Sequence, residues 1–492
     1  LLDLWNPGGI EIFAVYDQFF GVYPTPSPVY PPPLPVGRFE LWGSNGTAMG
    51  TSKIYDLHPP TKTTGSGFFA SGSPSSSQQS EALTGSRSTN KAEFININIP
   101  FLKTANGTAL IPVNRVLLPG IPPVVDSQLL GSNGTGSGTK VLHDFGVNER
   151  FDLLGPSIND LLRPMSNISD FLPLRLFLGN GTHLMQVTNH ITHDVQLWGT
   201  DGTPAGTKLF HDFGTTGVSL AYQGIANGVE LFSVTNDHTD AVQLWGSNGT
   251  VTGTGLVRDF GAAGIRISPL AAVNGIQLLE VTNANTHDVQ LWRSNGRTSG
   301  TFSLADFGAG AGIAVNYLDI VNGTALMGVS NPIKQDTQLW GSNGFVSGTA
   351  LLEDFVSGSV VIQAVATVGP FEILSVSDSA HHDVQIWRTN GKLSGTTLLH
   401  DFGSEAVTIN VLGGPNATEF FSVTNTVTND VQLWSTNGNA SGTRRLYDFG
   451  TFGVSFFSFG TVNGKALFSV TGKLRFPVYG LGAQESQLWA IR

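Results

Sequence analysis

Short apolar runs separated by polar, glycine-bearing turns fill the chain, and a period of 3.6 residues is nowhere sustained. The segment IRISPLAAV (265–273) is short and mostly apolar, as a strand covered on both faces would be. Asn274-Gly275 follows, and Asn-Gly is the strongest two-residue hairpin signal. IQLLEVT (276–282), a polar loop and VQLW (289–292) come next. A second Asn-Gly turn leads to a last run that ends in Asp-Phe-Gly. The pattern predicts four antiparallel strands, here called first to fourth.

The unit recurs along the chain. It reads DVQLWGTDGTPAGTKLFHDFG at 194–214, DVQLWRSNGRTSGTFSLADFG at 288–308, DVQIWRTNGKLSGTTLLHDFG at 383–403 and DVQLWSTNGNASGTRRLYDFG at 430–450. Trp198, Trp245, Trp292, Trp340, Trp387 and Trp434 are spaced by 47 or 48 residues. Earlier copies sit at Trp42 and at Leu130, and a clipped copy, SQLWAIR with Trp489, lies at 486–492. Four antiparallel strands per ~40–50 residues describe β-propeller blades. The expected fold is all-β, a single large β-propeller over 1–492 with eight or nine four-stranded blades. The eight tryptophans are large enough to wedge between adjacent blades.

Units of first to third strand fall at 1–43, 93–131, 171–199, 218–246, 265–293, 313–341, 360–388, 408–435 and 454–492. The last stops at Arg492 without a fourth strand, so an exposed strand edge is expected there. Such an edge is a template for pairing with another chain. Gln487, Leu488 and Trp489 on that strand are assembly candidates. Three insertions break the period. Residues 18–37 are Pro-rich and read as an extended polyproline II arm, whose Pro24, Pro26, Pro31, Pro32 and Pro33 are further assembly candidates. Residues 59–91 are rich in Ser, Thr and Gly and read as a flexible or O-glycosylated loop. Residues 147–170 read as an insertion between blades with a short helix.

Two resemblances follow from quoted residues. ELWGSNGTAMGT (40–51) and QLWGTDGTPAGT (196–207) resemble the Glu-Leu-Trp-x-x-Asp-Gly-Thr-x-x-Gly-Thr repeats of bacterial secreted and surface proteins. Here Asn usually replaces the Asp, and Gln the Glu. The strand order is similar to that of WD-repeat and periplasmic translocation propellers. This likeness covers nearly the whole chain; it implies an architecture and no particular activity. The segment SPVYPPP (27–33) resembles the hydroxyproline-rich wall glycoproteins of plants and algae.

Composition narrows the chemistry. Cysteine is absent, which excludes disulfides, Cys-ligated metals and a thiol nucleophile. A net charge of −11 with dispersed Lys and Arg makes a poor nucleic-acid binder. No apolar run is long enough to span a membrane. Charged residues are 12%, half the usual ~25%, so something else must keep the surface soluble. Covalent glycans would do so. Asn-x-Ser/Thr sequons occur at Asn45, Asn106, Asn133, Asn167, Asn180, Asn248, Asn322, Asn416 and Asn439. Six of them are Asn-Gly-Thr in hairpin turns, where Asn-Gly is needed for backbone reasons as well.

Catalytic signals are weak. Asp-Phe-Gly recurs once per blade without a His-Arg-Asp loop, so it reads as a strand end and turn whose Asp bonds backbone amides. His143, His211 and His400 precede that Asp, but Arg258, Ala305, Glu353 and Tyr447 replace them elsewhere, so the position reads as surface filling. His193, His287 and His382 precede the Asp of the Trp motif. Expected catalytic residues, cofactors and metals are none. The expected function is an extracellular structural glycoprotein that self-assembles head to tail by strand or arm exchange, as the subunit of a filament or surface fibre. The rival readings are a monomeric adhesion or carbohydrate-binding propeller with an open Trp and Tyr cluster, and a propeller glycosidase or lyase with converging carboxylates.

Overall fold

The computed structural model describes residues 2–5, 11–19, 36–44, 47, 49, 51–56, 93–96, 103–117, 124–147, 149–153, 181–189, 191–215, 217–261, 264–356, 360–404, 406–415, 417–451, 453–472 and 485–491. The Pro-rich arm at 20–35, including Pro24, Pro26, Pro31, Pro32 and Pro33, and the insertion at 59–91 lie outside them. So do Asn45, Asn167, Asn180 and Asn416.

Among the described residues the chain is all-β, of the β-propeller class: nine antiparallel sheets, each a meander in chain order. Seven have four strands. The sheet of Ile265–Val273, Ile276–Asn283, Asp288–Ser294 and Phe302–Ala309 is typical. Val273 pairs with Ile276 across the Asn274-Gly275 turn, where φ is 51° and 76°. Only Asn and Gly tolerate such a two-residue left-handed turn well. A bulge recurs between the Leu and the Trp where the third strand meets the fourth, at Leu291/Trp292, Leu339/Trp340, Ile386/Trp387 and Leu433/Trp434.

The second sheet has five strands because its first strand is broken. Glu93–Asn96 and Lys103–Ala105 both pair with Thr108–Leu117, one at each half. The third sheet corrects the reading of the sequence. Its first strand is Glu149–Leu153, which pairs residue for residue with Met185–Asn189. These residues were expected in an insertion at 147–170, and the first strand within 171–199. The ERFDL stretch lacks the apolar character of the other first strands, so its pairing partner was not visible. The last sheet, Ser455–Val462, Lys465–Gly472 and Glu485–Ile491, has three strands.

The chain divides into two compact units, Leu1–Leu220 with Asn248–Thr254, and Ala221–Ser247 with Gly255–Arg492. In the first, Leu110, Leu129 and Leu142 of the second sheet pack against Met185 and Val187 of the third. In the second, the core is the same contact repeated: Leu291 with Val315 and Met327, Leu339 with Ile362 and Leu374, Leu433 with Phe468 and Val470. Each fully buried Leu of this kind contributes about 2 kcal/mol.

Side chains of the hairpin asparagines staple successive sheets. Asn274 donates Nδ2 to the carbonyls of Gly323 (2.9 Å) and Asn343 (3.1 Å) in the next sheet. Asn322 does the same to Pro370 (2.8 Å) and Asn390 (3.2 Å). Asn463, at the matching turn of the last sheet, has the same φ of about 50° and makes no such bond among the described residues. Replacing Asn274 by Gly keeps the turn and deletes two hydrogen bonds, an expected loss of about 2 kcal/mol in urea unfolding. Asn463→Gly should cost almost nothing. Equal losses at the two positions would contradict the staple.

Candidate functional site

The Trp motif builds a polar relay between the third and fourth strands of six sheets. The Gln two residues before the Trp accepts from its indole Nε1, at 2.8 to 3.0 Å for Trp198, Trp245, Trp292, Trp340, Trp387 and Trp434. That Gln donates Nε2 to the Asp two residues earlier and to the Asp of Asp-Phe-Gly, as Gln385 does to Asp383 (2.9 Å) and Asp401 (3.3 Å). The second Asp also accepts from the amide of the following Gly, for example Gly403 to Asp401 at 2.7 Å. The Asp-Phe-Gly acids are thus turn braces.

Its Phe contacts the Trp of the next sheet edge-on, with centroids 4.9 Å apart for Phe260 and Trp292, 5.3 Å for Phe307 and Trp340, and 5.2 Å for Phe402 and Trp434. The residue before the Asp lies on the same indole: His143 on Trp198 (4.4 Å), His400 on Trp434 (4.5 Å), Arg258 on Trp292 (5.2 Å). At His143, His400 and Arg258 surface filling is therefore corrected to indole cover, whereas Ala305 and Glu353 stand at the same position without such a contact among those described. Burial holds the His143, His211 and His400 imidazoles below the usual histidine value, against the pull of the adjacent Asp. His193, His287 and His382 have φ of 56° to 59°, as do Asp240, Gln335 and Asn429 within a few degrees at the same turn. The position needs a left-handed backbone, which explains its residue types without a metal. Among the described residues no group of three His, Asp or Glu is placed to hold a metal ion.

One pocket of about 250 Å³ opens in the second unit. Phe355, Val356, Val360 and Val376 form its apolar wall; Asp378, His381, Asp383 and Gln385 form the polar one. His381 Nδ1 lies 2.6 Å from Asp378 Oδ2, and the imidazole is largely exposed. Burial, then the charge of Asp401, pushes the Asp383 carboxyl up. One acid was not foreseen. Glu372, on Phe371–Asp378, is 1% exposed and accepts from Thr367 Oγ1 at 2.8 Å. Burial raises its carboxyl to about 7, the Thr367 hydroxyl opposes this, and Asp319 on the preceding sheet adds to it. It presents no surface to a substrate.

The last sheet carries the largest departure from the repeat. In the other sheets the Leu or Ile before the Trp is fully buried: Leu244, Leu291, Leu339, Ile386 and Leu433 are all 0% exposed. Leu488 is 71% exposed. Phe457 (65%) and Phe459 (55%) on the first strand of the same sheet are also exposed, in edge contact at 5.2 Å. The opposite face is packed: Phe456, Phe468, Val470 and Trp489 meet Leu433 and Phe449. Of the three terminal assembly candidates, only Leu488 faces outward. Trp489 packs on Phe449 (5.4 Å), and Gln487 accepts its indole N–H (3.3 Å). Trp42 is half-buried in Val36–Ser44.

The described sequons fall in three settings. Asn106 donates Nδ2 to the carbonyl of Asp201 (3.2 Å), and Asn322 is one of the staples. Asn133 and Asn248 close the loop after the third strand, each accepting from the hydroxyl of Thr135 or Thr250 at 2.7 Å. A Cβ on the loop's later glycine would sit 1.8 to 1.9 Å from their Oδ1, which is why Gly138 and Gly253 stand there. Asn439 is exposed, two residues further along the same loop.

No protein-family model and no curated protein matches the chain. Solved structures with a likeness include a prolyl endopeptidase (10% identity, 77% of this chain, 55% of that one, TM-score 0.32). Others are oligopeptidase B from Leishmania major (9%, 77% and 53%, 0.33) and an oligogalacturonate lyase in complex with manganese (10%, 60% and 86%, 0.27). The chain spans about half the length of those two peptidases. Likenesses this distant carry no argument about activity. Among the described residues no helix is long and apolar enough to cross a membrane.

A carboxyl raised by folding favours the folded state while it is protonated, so stability falls as pH rises from the ordinary Glu value of 4.5 to about 7 and is level above. For Glu372 that fall is about 3 kcal/mol. Glu372→Gln should remove it, raising Tm at pH 8 and flattening thermal melts between pH 5 and 7. An unchanged slope would contradict the buried acid.

Proposed function

We propose that the chain is a structural repeat protein that self-associates head to tail, as the repeating subunit of an extracellular filament or surface fibre. The observation that carries this reading is the bare apolar face of the last sheet, with Leu488, Phe457 and Phe459 exposed where every homologous Leu is sealed. The occupant is a sheet of the same repeat from a second copy. Continuity supports this choice. The face is the next member of a series whose earlier members are each covered by a following sheet, as Leu433 is by Phe468 and Val470. Contiguous exposed apolar patches mark association sites, and a contact between two different surfaces of one chain propagates when its rotation does not close.

The extracellular part rests on the resemblance of ELWGSNGTAMGT (40–51) to repeats of secreted and surface proteins and of SPVYPPP (27–33) to wall glycoproteins. A sugar-binding platform draws less support. The described tryptophans are buried or half-buried, most of them between sheets, rather than gathered in an open cluster. The enzyme reading draws less support because the paired carboxylates, such as Asp383 and Asp401, are tied to the Gln that holds the Trp indole, and Glu372 is sealed.

Sedimentation of the full chain over a wide concentration range, with electron imaging, tests the proposal. The expected result is concentration-dependent oligomers growing into fibres. Leu488→Asp with Phe457→Ser should leave a monomer whose Tm moves by no more than about 2 °C, as exposed substitutions do. A chain that stays monomeric at every concentration, or a double variant that assembles as the parent does, overturns it.

A further inference from the structure

Hydrogen bonding and loop packing separate the described sequons: Nδ2 of Asn106 and Asn322 donates to the next sheet, the amides of Asn133 and Asn248 lie against a glycine of their own loop, and that of Asn439 is held only by its oxygen. Asn322 uses both Nδ2 hydrogens on carbonyls of the next sheet. Asn106 uses one on Asp201. Asn133 and Asn248 lie flat on Gly138 and Gly253 inside their own loops, close enough that a Cβ there would meet Nδ2 at 2.4 Å. A sugar on Asn322 has to break one of its two bonds, and a sugar on Asn133 or Asn248 has to move an amide that lies against its loop glycine.

Asn439 is held from the other side. Its Oδ1 accepts from Nη1 of Arg388 in the preceding sheet at 2.7 Å, and the same Nη1 also donates to the Gly438 carbonyl at 2.5 Å. The guanidinium is itself seated over the Phe371 ring, 4.3 Å from its centroid. The backbone around Asn439 is fixed as well: its N–H donates to Asn437 Oδ1, and its carbonyl accepts from Thr443 Oγ1 and the Gly442 amide. The side-chain oxygen is thus anchored while Nδ2 donates to nothing among the described residues. Asn439, Ala440 and Ser441 are all exposed. In the equivalent place the other sheets carry Thr203, Thr250, Arg297, Phe345 or Lys392, so the site accepts bulk of any kind.

We infer that Asn439, within Asn439-Ala440-Ser441, is an N-glycosylation site, and that Asn322, both of whose amide hydrogens are spent on the next sheet, stays bare in the folded chain. The donor is a lipid-linked oligosaccharyl diphosphate. The C1–O bond to phosphate breaks, the Nδ2–C1 bond forms, the lipid diphosphate leaves, and one amide proton passes to a base of the transferase. One N–H remains on Nδ2, and the Oδ1 bond to Arg388 survives. Transfer precedes folding, so a sugar at Asn322 would be carried into the joint between two sheets and would cost its staple.

The inference rests on the extracellular reading, and its test does not require assembly. The full chain is secreted from a eukaryotic host behind an added leader. Its folded, soluble fraction is treated with peptide N-glycosidase in heavy-oxygen water and mapped by mass spectrometry. Label at Asn439 in most molecules, with none at Asn322, is expected. Ser441→Ala keeps the Asn439 side chain and its Arg388 contact, and should remove one glycan mass with no change in Tm. A bare Asn439, or label at Asn322 in folded chain, overturns the inference. Failure to assemble with Asn439 occupied would count against the filament alone.

Discussion

Everything in this protein follows from the contact between one four-stranded sheet and the next. A single meander of about 47 residues presents apolar side chains on both faces and cannot bury either alone. Leu291 becomes inaccessible only because Val315 and Met327 of the following sheet lie over it. The same holds for Leu339 and Leu433 with their followers. Stability is therefore a sum of nearest-neighbour contacts. Leu488 holds the same place in its strand as these buried residues and is 71% exposed. The proposed self-association is the continuation of the packing that folds the chain.

That constraint also accounts for where the reactive side chains went. The Asp-Phe-Gly acids brace turns, the histidines before them cover indoles, and the histidines before the Trp motif occupy a left-handed backbone position. The hairpin asparagines set the turn and then reach across to the next sheet. Side chains that elsewhere do catalysis are here spent on holding sheets in register. In the pocket beside His381 and Asp378 an oriented imidazole, carboxylates and an apolar wall come together.

Much of the architecture was legible because it is written locally. Asn274-Gly275 sits between two apolar runs, and the spacing of Trp292, Trp340 and Trp387 marks the repeat. Nine units, the last of them without a fourth strand, are countable in the sequence. The partners are not, because they lie 34 to 68 residues apart and leave no mark at either end. Nothing in Asn322 announces Pro370 and Asn390 as its acceptors, and Arg258 does not reveal that it covers Trp292. Glu372 reads as an ordinary strand carboxylate until the preceding sheet closes over it. Glu149–Leu153 was missed because its pairing partner lies some thirty residues on, past a long interruption. Trp489 was assigned both to packing and to assembly, and only the alternation along Glu485–Ile491 separates it from Leu488.

The central claim is that the bare face of the last sheet is a place for another sheet of the same kind. Hydrogen exchange, followed by mass spectrometry on peptides covering 455–462 and 485–491, measures it directly. In dilute solution these peptides should exchange much faster than 288–294 and 431–436 of the inner sheets, and they should become protected as the chain is concentrated. Protection in dilute solution equal to that of the inner sheets, or no change with concentration, would contradict the account.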